Sequence, residues 1–456
     1  VRNSNVKVKL NQRLQESFKH NSDFIQKSYQ IGSTNIDIFY LSTITDTKMF
    51  YSDIIEPSVS QDSSKVFKNK LSATEGFSFK EQPTIEASVQ DILRGHMVIL
   101  SDQWAGVFDC TLYKTLPLTE TKVEKTIVGP QTGFSEDIDI NINLIRHRYH
   151  NNGLKIKDVS PKDQTTKMRL KILYDDNKVA PDLLDKLYEE MQSIQKDKFF
   201  QTAEELNQRI IEKNKNIFPT IMISERPDRI AYNIYKGKVV VLVEGSPFAL
   251  IIPSTFMDFF SSMSDFYQPY WVSRFLKILR YLGLAISTTL PAAYVGFTSY
   301  NPELFKVELA LSIAGSRAPV PYPSFVEVFL MLIMMEMLTE ASIRLPKTIG
   351  PTATTVGGLI LGQAATEAGL VSNIMIIIVA SVAISNFVIP INQMSFAMRL
   401  EKYYLLLLTA VTGLIGLIVG LMSIILYLTH LSSMGNPYFK LTFSETPNYL
   451  KKGTYK

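Results

Sequence analysis

The sequence is short of several things on which enzymes and secreted domains rely. Cys110 is the one cysteine in 456 residues, which excludes an intramolecular disulfide and any cysteine-rich metal site. No nucleophile elbow, zinc motif or Walker lysine is present, so no enzyme activity, metal or cofactor is expected. The net charge is only +4 and gives no argument for nucleic acid as a partner. The opening residues Val1–Asp23 are polar, carry scattered Lys and Arg and lack an apolar core. No secretory signal is visible there, and the soluble part is expected in the cytoplasm. Long hydrophobic runs are also missing, but only from the first part of the chain.

The mean hydropathy of +0.07 averages two unlike parts that meet near Tyr270. Beyond that point the runs are long. The stretch from Tyr403 to Leu428 holds no charged side chain and exceeds the roughly 20 residues that cross a hydrocarbon core. Several such runs in succession predict a membrane-inserted region. The expected layout is a polar N-terminal tail (1–23), a first α/β subdomain (24–128), a second (129–256), a transmembrane domain (257–430) and a C-terminal tail (431–456).

Two halves of the soluble part repeat a pattern. Ile36-Asp-Ile-Phe-Tyr40 and Leu170-Lys-Ile-Leu-Tyr174 read as strands, followed by helix-like stretches over Thr47 to Ile55 and Pro181 to Ile194. Each half then reaches a helix end with a basic residue, a glycine (Gly95, Gly237) and a continuous apolar strand. Further strands follow over Ala105 to Cys110 and Pro247 to Ile252. The tyrosines are 134 residues apart and the glycines 142, so the spacing predicts a duplication: tandem α/β subdomains with mixed sheets.

Between the halves, Gly129 and Gly133 fit neither a phosphate loop nor a dinucleotide fingerprint. Ser135 is expected to open a helix with Glu136 and Asp137 in its first turn, ending at Arg146-His-Arg-Tyr-His150. Arg146 and Arg148 disfavour a metal at His147 and His150, which read as a solvated helix end. Ser224-Glu-Arg-Pro-Asp228 reads as a polar turn before a helix, with Asp228 as its cap.

The membrane part begins with an aromatic and basic stretch, Phe260 to Arg280, suited to the headgroup layer. Spans are expected over Tyr281 to Phe297, Ser324 to Leu345, Thr348 to Thr366, Val371 to Ile391 and Tyr403 to Leu428, four to five in all. Val307 to Ala314 is expected at the interface. Ser324 to Leu345 contains Glu327, Glu336 and Glu340, and the last two share a helix face. Ionised carboxylates are costly in lipid, so they should face protein or water unless this helix lies on the membrane surface. Gly358 and Gly362 permit close helix contact, and Gln363 and Glu367 extend a polar stripe; Gly416 and Gly420 repeat the spacing. Five spans starting inside place Arg344, Lys347, Arg399 and Lys402 in the cytoplasm but send the lysine-rich tail outside. A surface-lying Ser324 to Leu345, or a re-entrant Thr348 to Thr366, returns it. The polar stripes suit an oligomeric pore and ordinary helix packing equally.

At these residues the sequence resembles the A subunit of the GerA-type spore germinant receptors. The resemblance rests on Arg344-Leu-Pro-Lys-Thr-Ile-Gly-Pro351, Val356-Gly-Gly, Gly362-Gln-Ala-Ala365 and Glu367-Ala-Gly-Leu-Val-Ser-Asn373. Gly133 to Arg146, Glu225-Arg-Pro-Asp228 and Gly237 to Phe248 carry further family patterns. The chain departs from the family at Gln131 and Thr132, and at Leu332 and Thr339, where a glutamate and an arginine are usual; the charge network around Glu336 is therefore expected to be thinner. The resemblance implies a multi-pass protein of the spore inner membrane with a cytoplasmic N-terminal domain. It implies a homo-oligomer working with a transporter-like B subunit, which binds a small nutrient, and a lipoprotein C subunit. Gly358, Gly362, Gln363 and Glu367 are then expected to line or pack a cation pathway in the lipid, supported by Glu336 and Glu340. Gly133, Phe134, Glu136, Asp137, Asn141, Arg146, Glu225, Arg226 and Asp228 are expected to serve coupling or the subdomain interface. A non-conducting scaffold for the B and C subunits, or a paralogue acting downstream, stands as the alternative.

Overall fold

Alternating apolar residues build a first sheet in the computed structural model. The structure describes residues 2–31, 34–56, 64–74, 76–80, 84–102, 104–112, 120–124, 126, 128–159, 168–197, 201–212, 216–345 and 350–440. Strands β1 (Phe24–Ile31), β2 (Thr34–Leu41), β3 (Phe77–Lys80), β4 (Met97–Ser101) and β5 (Ala105–Phe108) pair in the order β1-β2-β4-β5-β3. Successive strand residues point to opposite faces. Phe39, Leu41, Val98, Leu100 and Val107 therefore pack on one side with Leu10, Leu14 and Ile92. Ile36, Ile38, Tyr40, Met97 and Ile99 pack on the other with Phe50, Ile54 and Phe67.

A second sheet repeats the first. Strands β6 (Leu154–Asp158), β7 (Leu170–Asp175), β8 (Met222–Ser224), β9 (Val239–Val243) and β10 (Ala249–Ile252) run in the order β6-β7-β9-β10-β8. Every pairing within both sheets is antiparallel, which corrects the expectation of mixed sheets. Continuous apolar strands such as Val239–Val243 suggested parallel neighbours because both of their faces are buried. Antiparallel strands covered on both faces produce the same pattern.

The repeat reaches into residues expected to be a polar tail. Helix Arg2–Ser17 places Leu10, Leu14 and Phe18 on one buried stripe and precedes β1, as helix Ile138–Arg148 precedes β6. Phe18 N donates to Leu14 O at 3.1 Å, and Tyr149 N to Ile145 O at 2.9 Å. The two glycines also occupy matching places. Gly95 (φ +92°) and Gly237 (φ +83°) end helices Ile85–Leu93 and Pro227–Tyr235 in the left-handed region. A Cβ there would lie 2.7 Å from Ile44 O and 2.5 Å from Lys178 O respectively. Both carbonyls lie three residues beyond the matching strand, so one loop geometry has been kept twice.

Contacts divide the chain into two units, Val1–Lys215 with Ile221–Pro253, and Asn216–Thr220 with Ser254–Lys456. The second unit is helical: Tyr270–Ser299, Val307–Arg317, Ser324–Arg344, Gly350–Glu367, Asn373–Val388, Asn392–Thr412 and Leu414–His430. Among the described residues Tyr270–Ser299 alone is both long and apolar enough to cross a membrane, short of the four to five spans expected. Two physical reasons account for part of the difference. Charges interrupt Ser324–Arg344, and the run from Tyr403 to Leu428 is not one helix. Gly413 (φ +69°) breaks it, and Tyr404 Oη meets Ser423 Oγ at 2.9 Å across the resulting antiparallel hairpin. A Cβ on Gly420 would lie 2.6 Å from Leu405, so this glycine lets the two arms close.

Candidate functional site

In the first unit the Glu225-Arg226-Pro227-Asp228 turn clamps the segment that joins the two sheets. Glu225 Oε1 accepts from Val123 N at 2.5 Å and from Glu124 N at 3.0 Å, while its carbonyl accepts from Phe134 N at 2.8 Å. Arg226 is fully buried and grips Asp228 with two nitrogens, at 3.0 and 2.7 Å. Its guanidinium also donates to Glu124 O, Thr126 Oγ1 and Pro130 O, at 3.0, 3.0 and 2.9 Å. Pro227 opens the following helix, which puts Asp228 in its first turn rather than at its cap. Gly133 and Phe134 are buried beside this clamp.

Helix Ile138–Arg148 is the piece that meets the other sheet. Asp137, not Ser135, caps it, accepting from Asp139 N at 2.8 Å and Ile140 N at 3.2 Å. Ser135 is held instead by the Asn141 amide, which accepts from Ser135 N and donates to its carbonyl. Glu136 O accepts from Gly245 N at 2.9 Å. From the far end of the helix Arg146 reaches Asp23, and Asn143 donates to Thr43 O at 2.8 Å and Leu112 O at 3.1 Å. Asp23, Thr43, Asn143 and Glu124 had no signal in the sequence, because each partner lies about a hundred residues away.

Burial also sets the electrostatics here. It pushes His147 below its ordinary value, with the neighbouring His150 adding to the effect and a backbone bond to Leu112 opposing it. Burial likewise lowers Lys155, whose Nζ donates to Ser17 O at 2.7 Å. Tyr149 is raised, by burial first and then by its short hydrogen bond to Asp175. The rings of His147 and His150 lie 6.2 Å apart, edge to face.

In the helical unit the glutamates part company. Glu336 faces inward and meets Arg399 and Lys402, with Lys402 Nζ at 2.6 Å and Arg399 Nε at 2.7 Å. Thr339 bonds its own helix at Met335 O, and Leu332 joins the apolar core. The network expected to be thin is thus filled from helix Asn392–Thr412. A cavity of about 60 Å³ opens beside it, lined by Glu336, Arg399, Lys402, Asn386 and apolar Leu332 and Val379. Glu327 is buried as well, accepting from Ser372 N at 2.7 Å and Ser372 Oγ at 2.6 Å.

The remaining polar residues lie outside. Glu340 pairs with Arg344 at 2.8 Å, and Gln363 donates to Glu367 at 3.0 Å; all four are exposed. Gly358 packs under Leu338 and Gly362 near Ile376, with a Cβ at 3.4 and 3.8 Å respectively. Lys347 of the expected basic turn lies outside the described residues, as do Lys451, Lys452 and Lys456 of the tail.

Residues 12–456 match the model of a family described as Bacillus/Clostridium GerA spore germination protein. The chain belongs to this GerA family. Spore germination protein GerLA of Bacillus cereus is 35% identical over 360 residues, 78% of this chain and 73% of that protein. Spore germination protein B1 of Bacillus subtilis (strain 168) is 31% identical over 437 residues, 93% of this chain and 89% of that protein. The N-terminal domain of the A subunit of the Bacillus megaterium spore germinant receptor GerK3 aligns at 18% identity with a TM-score of 0.39. It covers 54% of this chain and 94% of that domain. In this GerA chain the family patterns therefore fall into two groups. The Gly133 to Arg146 and Glu225 to Asp228 patterns tie two sheets together, and the Gly358 to Glu367 pattern splits between packed glycines, Gly358 and Gly362, and the exposed pair Gln363 and Glu367.

Proposed function

We propose that the chain is the A subunit of a nutrient-sensing germinant receptor and forms a homo-oligomer that conducts cations across the spore inner membrane. In this reading a transporter-like B subunit binds the nutrient, a lipoprotein C subunit completes the receptor, and the chain itself has no catalytic role. One observation carries the conducting role. Gln363 and Glu367 form a hydrogen-bonded pair on the exposed face of helix Gly350–Glu367. A carboxylate facing lipid costs several kcal/mol, so this face is suited to water and to further copies of the chain. Glu336, neutralised within the chain, holds the bundle together instead.

This reading takes six helices as crossings, Tyr270–Ser299 and five that are shorter or less apolar: Ser324–Arg344, Gly350–Glu367, Asn373–Val388, Asn392–Thr412 and Leu414–His430. The hairpin at Gly413 turns the odd count into an even one and returns the end of the last helix to the cytoplasmic side. Arg274, Lys277, Arg280, Arg344 and Lys440 then share the cytoplasmic side, in accord with the positive-inside rule. The test is germinant-evoked cation release from spores carrying Gln363→Ala or Glu367→Ala at unchanged protein level. Reduced release is expected; release equal to that of the unaltered chain removes these residues from the pathway. A purified chain that passes no ions in liposomes leaves the non-conducting scaffold.

A further inference from the structure

The chain passes between its two units three times, next to Asn216, Thr220 and Ser254, since Asn216–Thr220 and Ser254–Lys456 belong to the helical unit. One hydroxyl joins the last two of these boundary residues. Ser433 Oγ donates to Thr220 O at 2.6 Å and accepts from Ser254 N at 3.2 Å. Ser433 belongs to a small hairpin that follows the last helix, with Ser432 paired to Pro437 and Ser433 to Asn436. Around it, Phe256 N donates to Tyr438 O at 3.0 Å, and Ile217 N donates to Tyr427 Oη at 3.2 Å. The rings of Phe218, Phe256, Tyr427 and Tyr438 close the cluster at centroid separations of 6.1 to 6.2 Å. Tyr438 is fully buried.

The hairpin turns through Met434 (φ +49°) and Gly435 (φ +82°), two left-handed residues in a two-residue loop. Such loops favour Asn-Gly, and a left-handed methionine is strained because its Cβ crowds the following carbonyl oxygen. The hairpin is therefore held short of the stability this turn can reach. A tie meant never to open has no use for that strain, whereas a tie that opens during a response does.

We propose that the hairpin Ser432–Pro437 is a latch. Closed, it pins two of the three passages of the chain, at Thr220 and Ser254, to the end of helix Leu414–His430. The germination response requires it to open, freeing that helix end from the passages that lead into the two-sheet unit.

Two variants move the latch in opposite directions. Met434→Asn creates the favoured turn and tightens it; Ser433→Ala removes both boundary bonds and loosens it. In the purified full chain, amide hydrogen exchange at Ser254 and Phe256 is expected to slow about fivefold in the first and quicken about fivefold in the second, the factor that 1 kcal/mol sets. In spores with equal protein levels, the germinant concentration for half-response should rise with Met434→Asn and fall with Ser433→Ala. Exchange unmoved by either variant overturns the latch, as do response thresholds that stay put or shift in the same direction. The spore arm rests on the receptor reading above. If the unaltered chain supports no response, that reading fails and the exchange arm alone decides the latch.

Discussion

Arg146 and Asp23 are 123 residues apart in sequence and form a two-pronged ion pair, each contact 2.8 Å, with both side chains buried. Thr43 Oγ1 donates to the same carboxylate at 2.7 Å. The pair joins helix Ile138–Arg148 to the start of β1 and so ties one sheet to the other. Arg146→Ala leaves Asp23 buried and uncompensated, which costs about 3–5 kcal/mol. Urea denaturation of the purified chain checks this. The double variant Arg146→Met with Asp23→Leu should recover most of the loss, because no charge is then stranded.

The matched glycines make a paired prediction. Gly95→Ala and Gly237→Ala each force a left-handed residue and press a Cβ against a carbonyl at 2.7 or 2.5 Å. Each should cost at least about 1–2 kcal/mol. Similar losses in denaturant midpoint are expected for both; a neutral result at either site would show that its loop can shift aside.

Glu336 and Glu367 should behave differently. Glu336→Ala strands Lys402, which is 2% exposed beside Arg399, and should lower the amount of folded protein in the membrane. Glu367→Ala touches only an exposed pair; it should leave the amount unchanged and reduce cation release. Quantitative immunoblotting of membranes with flux measurements separates the two. Equal protein loss in both variants would argue against the division drawn between packing and pathway.

His147 gives the first unit a pH dependence. Burial lowers its folded value, so the unfolded chain takes up this proton more readily and stability rises with pH in that range. The contribution is complete above the unfolded value of about 6.5 and is lost as pH falls through the lower folded value. Urea midpoints should therefore drop between about pH 7.5 and pH 5.5. The drop should be smaller in His147→Gln, where this proton is absent; an identical drop in both proteins assigns the dependence elsewhere.

Local order fixed by nearest neighbours could be read directly from the chain. Short apolar runs bounded by polar residues or glycine set β2, β4, β7 and β9, the spacing of tyrosines and glycines revealed the duplication, and family patterns marked Gly133 to Arg146, Glu225 to Asp228 and Gly358 to Glu367. What each pattern does depends on partners brought in from afar. Strand direction could not be read, because burial on both faces gives one pattern for parallel and antiparallel sheets alike. Nor could the stripe of Leu10, Leu14 and Phe18 be told from a polar tail before β1 gave it a surface to cover. Glu336 and Glu340 share one helix face in sequence, yet Arg399 and Lys402 draw the first inward and leave the second outside. The uncharged run from Tyr403 to Leu428 determined that these residues avoid water. Only the left-handed backbone at Gly413, and the contacts it permits between Leu405 and Gly420, decided that the run folds back on itself.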